Sequence, residues 1–371
     1  MLSPEPSEAA TMRSMCATVF ALLLAGGVLA APLPRLHPNS VWYQRIDQAP
    51  LHANSGTMIS TLSGLGGFGN GRMQIDFSMY VLYATAGTPT QPLVEIPSSD
   101  PNDDYYLPDC DPLGTPIPLP VGGAIEGQQG YSCDVFGNDC HLLVVTGNEI
   151  FEVYRANSAG GQVQAQCLAR WRMDALYPAT QRGEHCTSAD AAGFPIAPLL
   201  FNADEVAAVD ELPDGDLGHA LRFILPNNRM ANDGSLGGVQ GRLYVRPGTH
   251  AGGPSGPVGS VPYGARLRLR ADFPMTGYNA AARVILRTMQ RYGIVLADGG
   301  NIALTAESDR YTTNTWTSLG IGSRVFDQTA GATDVFISDF AVLDTGPRIA
   351  ETYDCVRSEP TVDGVFANGF E

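Results

Sequence analysis

The sequence predicts a mainly β protein: an antiparallel β-sandwich or jelly-roll-like fold with one or two helices. Three observations lead there. Short stretches that alternate apolar and polar residues, or are wholly apolar, recur along the chain with turn residues between them. Gly (42) and Pro (27) are plentiful among 371 residues, which favours turns over long helices. Strands and helices do not alternate one for one, as a Rossmann or TIM arrangement would require. A hydrophobic content of 44% supplies a core of ordinary size.

Taken in order, residues 1–30 read as a signal peptide. Residues 18–30 are apolar, and Val28-Leu29-Ala30 fits a peptidase site before Ala31. Glu5 and Glu8 are out of place in such a segment, and Met12 is the expected natural start. The apolar run is short for a bilayer span, and an uncleaved anchor is the alternative. Residues 31–73 read as an extended N-terminal segment, in which the glycine-rich stretch 62–71 is a flexible loop without phosphate-binding spacing. A single β-rich domain is expected over 74–345, followed by a C-terminal tail over 346–371.

Within that domain, 74–83 reads as one strand and 87–130 as a long loop region. Its Ser99-Asp100-Pro101-Asn102-Asp103-Asp104 run lacks EF-hand spacing and reads as a solvated turn. Residues 141–146 and 149–154, joined by Gly147-Asn148, form the clearest hairpin. Further strands are expected over 163–173, 219–225, 241–245, 266–273, 294–297, 302–306, 316–319 and 335–343. Asn202 caps a short helix over Ala203–Val209. Asn279 caps a longer one in which Ile285, Met289 and Tyr292 share a face, and Gly293 ends it.

The segment around that helix carries a resemblance. Arg266-Leu267-Arg268-Leu269, Val284-Ile285-Leu286-Arg287, Arg291-Tyr292-Gly293 and Leu296-Ala297-Asp298-Gly299-Gly300 belong to it. So do Thr187-Ser188-Ala189-Asp190-Ala191-Ala192-Gly193, Pro195-Ile196 and His219-Ala220-Leu221-Arg222-Phe223. Together these runs resemble the hallmark pattern of a family of secreted bacterial proteins, over about residues 139–300. The resemblance implies one continuous exported domain and no particular reaction. Beyond Asn301 the chain departs from the pattern. The terminal run from Val362 to Glu371 resembles a short C-terminal signature of exported bacterial proteins.

Charge and cysteines narrow the function classes. All 22 basic residues are Arg, and losing Arg13, Glu5 and Glu8 with the signal segment moves the net charge from −16 to −15. Schiff-base and lysine-base chemistry are excluded, and an acidic chain is a poor partner for nucleic acid. Six cysteines remain, which reads as three disulfides in an exported protein and leaves fifteen pairings open. Cys133 with Cys140 and Cys167 with Cys186 are two pairings the spacing allows.

Polar residues at strand ends are the candidates for chemistry. Glu152 sits inside an apolar strand, where a charge is exposed, paired or functional. Asp298 follows a buried strand at a turn. Glu205 and Asp190 lie near helical starts, where capping is the plain reading. Asp298, Glu152 and Glu205 are therefore the catalytic candidates, as a carboxylate pair of the kind glycoside hydrolysis uses. His141, His219, Arg222 and His250 are the substrate-binding candidates. His219 and Arg222 are three apart on a strand and share a site only across a bulge.

No cofactor is expected. A metal at His141, His219 and His250 requires the three imidazoles to meet, and no local histidine spacing supports one. Tyr105, Tyr106, Tyr131, Trp42 and Tyr43 are available to stack on sugars or to fill the core. The expectation is a secreted or periplasmic carbohydrate-active protein acting on a polysaccharide or glycan. It has no nucleic-acid partner and no membrane span after signal cleavage. A non-catalytic carbohydrate-binding or surface protein and a histidine-coordinated metalloenzyme are the alternatives.

Overall fold

The computed structural model describes Met1 and residues 32–362. The expected signal segment after Met1 and residues 363–371 lie outside the described residues. The fold is mainly β, with helices α1 (Ser55–Gly64), α2 (Ala203–Val209) and α3 (Ala280–Arg291). A six-stranded sheet runs in the order Ile75–Met79, Leu304–Glu307, Leu221–Leu225, Ile294–Gly299, Arg266–Leu269, Phe340–Val342. Its pairings are mixed. The strand Leu221–Leu225 lies parallel to Ile294–Gly299 and antiparallel to Leu304–Glu307. The expectation of purely antiparallel sheets therefore holds only in part.

Two four-stranded sheets complete the framework. One orders Val81–Ala84, Leu142–Thr146, Glu149–Tyr154 and Cys167–Arg172. The other orders Pro116–Pro118, Thr90–Glu95, Gln162–Ala165 and Asn157–Ala159. The first is apolar on both faces. Leu142, Val144, Phe151 and Val153 join the second sheet's Leu93, Ile117 and Val163 in one core. Leu143, Val145, Ile150 and Trp171 join the six-stranded sheet and its helices in the main core. The period-two alternation of a strand thus feeds two cores at once.

Residues 74–83 and 163–173 each divide into two strands that belong to different sheets, with Tyr80 and Gln166 as the crossing points. Residues 316–319 form turns rather than a strand. Stretch 62–71 is packed, not free. Phe68 is buried edge-on against Phe223 and Phe340, and a Cβ on Gly69 would lie 2.0 Å from the Asn301 carbonyl oxygen. The 32–73 segment contains α1, which the glycine content concealed.

The cysteine pairs are Cys110–Cys167, Cys133–Cys140 and Cys186–Cys355, so the Cys167–Cys186 pairing is wrong. The distance between Cys186 and Cys355 along the chain hid that partnership. Residues 346–362 are built into the domain through the strands Ile349–Ala350, Val356–Arg357 and Thr361–Val362, each paired with an earlier one.

The N-terminal segment covers the arginine-bearing face of the strand Arg266–Leu269. Arg266 donates to the carbonyls of Tyr292 (2.8 Å), Val41 (3.0 Å) and Gln44 (3.0 Å). Arg268 donates to those of Ile46, Asp47 and Ala49. Burial pulls the Arg266 pKa down to about 10. The helix α3 packs close by, capped by Asn279, whose side chain accepts from the Ala282 N–H at 2.8 Å. Gly293 ends the turn after it at φ 74°, where a Cβ would meet the Leu267 carbonyl at 2.5 Å. Replacing Arg266 by Met leaves the Tyr292 and Gln44 carbonyls without this donor, while Val41 keeps only the longer bond from the Gln44 N–H. We expect a loss of about 2–4 kcal/mol in chemical denaturation, and a loss below about 1 kcal/mol would contradict this account.

Candidate functional site

The centre of the site is the Arg222 side chain. It projects from the strand Leu221–Leu225 between its two neighbours in the six-stranded sheet. Arg222 donates through Nε and one Nη to both oxygens of Asp190, each at 2.9 Å. It also donates to Asp298 Oδ2 at 3.2 Å and to Thr305 Oγ1 at 2.7 Å. Asp298 comes from the strand Ile294–Gly299 on one side and Thr305 from Leu304–Glu307 on the other. Asp190 comes from a loop above them. Its carboxylate is fully held by the guanidinium fork, which is the strong geometry for such a pair.

Asp298 is the member that reaches solvent, with a side chain 25% exposed. It lines a cavity of about 200 Å³ together with Asp139, Tyr106, Tyr154 and His250. Burial raises the Asp298 pKa towards neutrality and the Asp190 charge adds to this, against Arg222 and the Gly299 N–H. The result is a carboxyl group that keeps its proton where an ordinary Asp has lost it. Asp139 is exposed at the same cavity, and both carboxylates act electrostatically on Tyr154 between them.

The loop 187–191 forms the wall, and it is pinned at several points. Thr187 N–H donates to Asp109, and Ser188 Oγ donates to the Phe194 carbonyl at 2.6 Å. His141 Nε2 meets the Ala189 carbonyl at 3.0 Å, and His141 Nδ1 meets Glu126 at 2.8 Å. Burial opposes charge on His141, but the hydrogen bond and charge of Glu126 outweigh it and raise the pKa to about 9. The imidazolium then donates from both nitrogens. His250 donates Nδ1–H to the Ala191 carbonyl at 2.7 Å and stacks on Tyr353.

Of the residues singled out in the sequence, Asp298 and His250 line the cavity, while Arg222 and His141 support it from behind. Glu152 and Glu205 are corrections. Glu152 faces the junction between two sheets, is fully buried, and accepts from Ile196 N–H, Ala197 N–H and Trp171 Nε1. It closes the start of a short helical turn over Ala197–Leu199.

Glu205 lies in the first turn of α2 and pairs with Arg35. His219 joins that second cluster, 2.8 Å from Arg35, and burial with the Arg35 charge holds its pKa well below the usual value. It shares no contact with Arg222, as the three-residue spacing on a strand implies. The three histidines therefore do not converge, and no group of three or more His, Cys, Asp or Glu suited to a metal occurs among the described residues. Sequence reasoning missed Asp139, whose one signal is its place beside Cys140 in a six-residue loop. Of the aromatic candidates, Tyr105 and Trp42 are core, and Tyr106 faces the cavity.

Comparisons with protein-family models, with curated proteins and with solved structures return no match. Three disulfides fit an exported chain, and among the described residues no helix is long and apolar enough to cross a membrane.

The buried acids set the pH dependence of folding. Burial raises Glu152 and Glu307 to about 7, against about 4.3 in an unfolded chain. The folded state therefore binds more protons between these values, and stability falls as pH rises through that window. Asp298 acts in the same direction. The His141 contribution is complete below about 6.5 and lost as pH rises through about 9. His219, with its lowered pKa, acts in the opposite direction below about 6.5, but it is one group against Glu152, Glu307 and Asp298, so we expect the denaturation midpoint to decline from about pH 5 to about pH 9. A midpoint that is level or rising over that range would contradict these assignments.

Proposed function

We propose that this is an exported carbohydrate-active hydrolase of the secreted bacterial type its sequence resembles, with its reaction at the Asp298 cavity. The observation that carries the reading is a carboxyl group held protonated towards neutral pH at the wall of a cavity with tyrosines and a second carboxylate, Asp139. Asp298 serves as general acid towards the glycosidic oxygen, since a raised pKa keeps its proton available. Asp139 serves as the partner carboxylate, in place of Glu152 and Glu205. Arg222 orients Asp298 without touching substrate, and Asp190 orients Arg222. Tyr106 and Tyr154 offer ring faces to the sugar.

A non-catalytic glycan-binding protein is the second reading. It is favoured by the tight hold on Asp298, whose Oδ1 accepts from the Gly299 N–H at 2.6 Å while Arg222 takes Oδ2.

The test is a polysaccharide screen of the mature protein and of Asp298→Asn, with the denaturation midpoint as a folding control. Sugar release that falls roughly 100-fold or more in the variant, and that declines above neutral pH in wild type, supports the hydrolase. Release that is unchanged in the variant sinks the assignment of Asp298. Binding without release in either protein moves the reading to the binding module.

A further inference from the structure

The Asp298 cavity shares lining residues with two others. A cavity of about 390 Å³ shares Asp139 and Tyr154 with it on one side. A cavity of about 580 Å³ shares Tyr106, Thr187, His250 and Gly252 with it on the other. The Asp298 cavity is thus the one that shares walls with both of the others, which share no lining residue with each other.

The groove collects exposed aromatic side chains. Phe136 is 63% exposed in the 390 Å³ cavity, and Tyr106 (38%) and Tyr353 (37%), whose ring also meets His250 and Arg242, lie in the 580 Å³ cavity. Water contact with that much ring surface is unfavourable, and the hydrophobic faces of sugar rings relieve it.

Each wall is also tied by a disulfide. Cys133–Cys140 closes the loop that holds Phe136 and Asp139. Cys110–Cys167 anchors the segment bearing Tyr106. Cys186–Cys355 joins the Thr187 wall to the C-terminal arm that supplies Tyr353. Walls fixed before binding lose little entropy when a chain settles between them.

We infer that the groove takes an internal stretch of a linear polysaccharide, with Phe136 and Tyr353 as the outer platforms and Asp298 at the point of cleavage. This rests on the glycan-hydrolase reading above and adds that cleavage is within the chain rather than at its end. Asp104, Asp109, Asp139 and Asp190 line the groove against Arg155 and Arg242, an acidic excess that matches uncharged or amine-bearing sugars rather than acidic ones.

The test is calorimetric binding to the wild-type protein and to Phe136→Ala. The probes are hydrolysis-resistant thio-linked β-1,4-glucosyl oligomers and β-1,4-glucosamine oligomers, each of one to six units. Phe136 is exposed at a loop tip, so its truncation leaves the fold intact. The groove predicts affinity that climbs with length beyond two units in at least one series. It also predicts that Phe136→Ala weakens the longest oligomers by roughly 3–10-fold and leaves the shortest unchanged. Affinity that is level beyond two units, or a variant equal to wild type at every length, overturns the groove while leaving the hydrolase reading in place. Binding of neither series at any length overturns the glycan reading together with the groove.

Discussion

A guanidinium group buried among two carboxylates and a hydroxyl cannot be left half-paired. Losing one partner leaves a charge in a medium that solvates it poorly, at a cost of several kcal/mol. Arg222 is in that position, and the surroundings answer it from three directions. Two adjacent strands bring Asp298 and Thr305, and the 187–191 loop brings Asp190. The loop must therefore lie against the sheet, and its far side becomes the cavity wall. His141 and His250 hold the same loop through the Ala189 and Ala191 carbonyls. Two carboxylates share one arginine, and burial together with the Asp190 charge raises the pKa of Asp298. Fold, wall and acid follow from one pairing.

Much of the framework was legible because local signals and tertiary packing agree. Asn202 and Asn279 cap the helices where expected, each accepting an N–H three residues on. The hairpin across Gly147-Asn148 forms over Leu142–Thr146 and Glu149–Tyr154, one residue short of the expected start. What escaped notice depends on contacts between distant residues. Nothing local in 74–83 or 163–173 says that a strand changes sheet midway, since both halves have the same period. Helix α1 lies in a run of Ser, Thr and Gly with weak helical preference, and its packing against the sheet makes it helical. The Cys186–Cys355 pair joins residues 169 apart in sequence, which spacing cannot reveal.

The candidate site was legible in its centre and misread at its edges. Asp298, Arg222, His141 and His250 were recognisable as polar groups at strand ends, and the fold brings them to one region. Glu152 and Glu205 carry the same signal and belong elsewhere. A buried carboxylate that accepts several N–H bonds is as good a structural device as a catalytic one. Sequence alone does not distinguish them, because the difference is whether solvent reaches the oxygens. Asp139 was missed for the converse reason. An exposed Asp in a polar loop is ordinary until the cavity beside it is seen.

The chemistry proposed for the cavity depends on the protonation state of Asp298. The direct measurement is a carbon-13 NMR titration of the aspartate carboxyl groups in wild type and in Asp298→Asn. The account predicts one resonance that titrates far above the ordinary aspartate value of about 3.9 and disappears in the variant. A spectrum in which every aspartate titrates near or below that ordinary value would contradict it. Asp298 would then be a simple ion-pair partner of Arg222, and the cavity would have no acid.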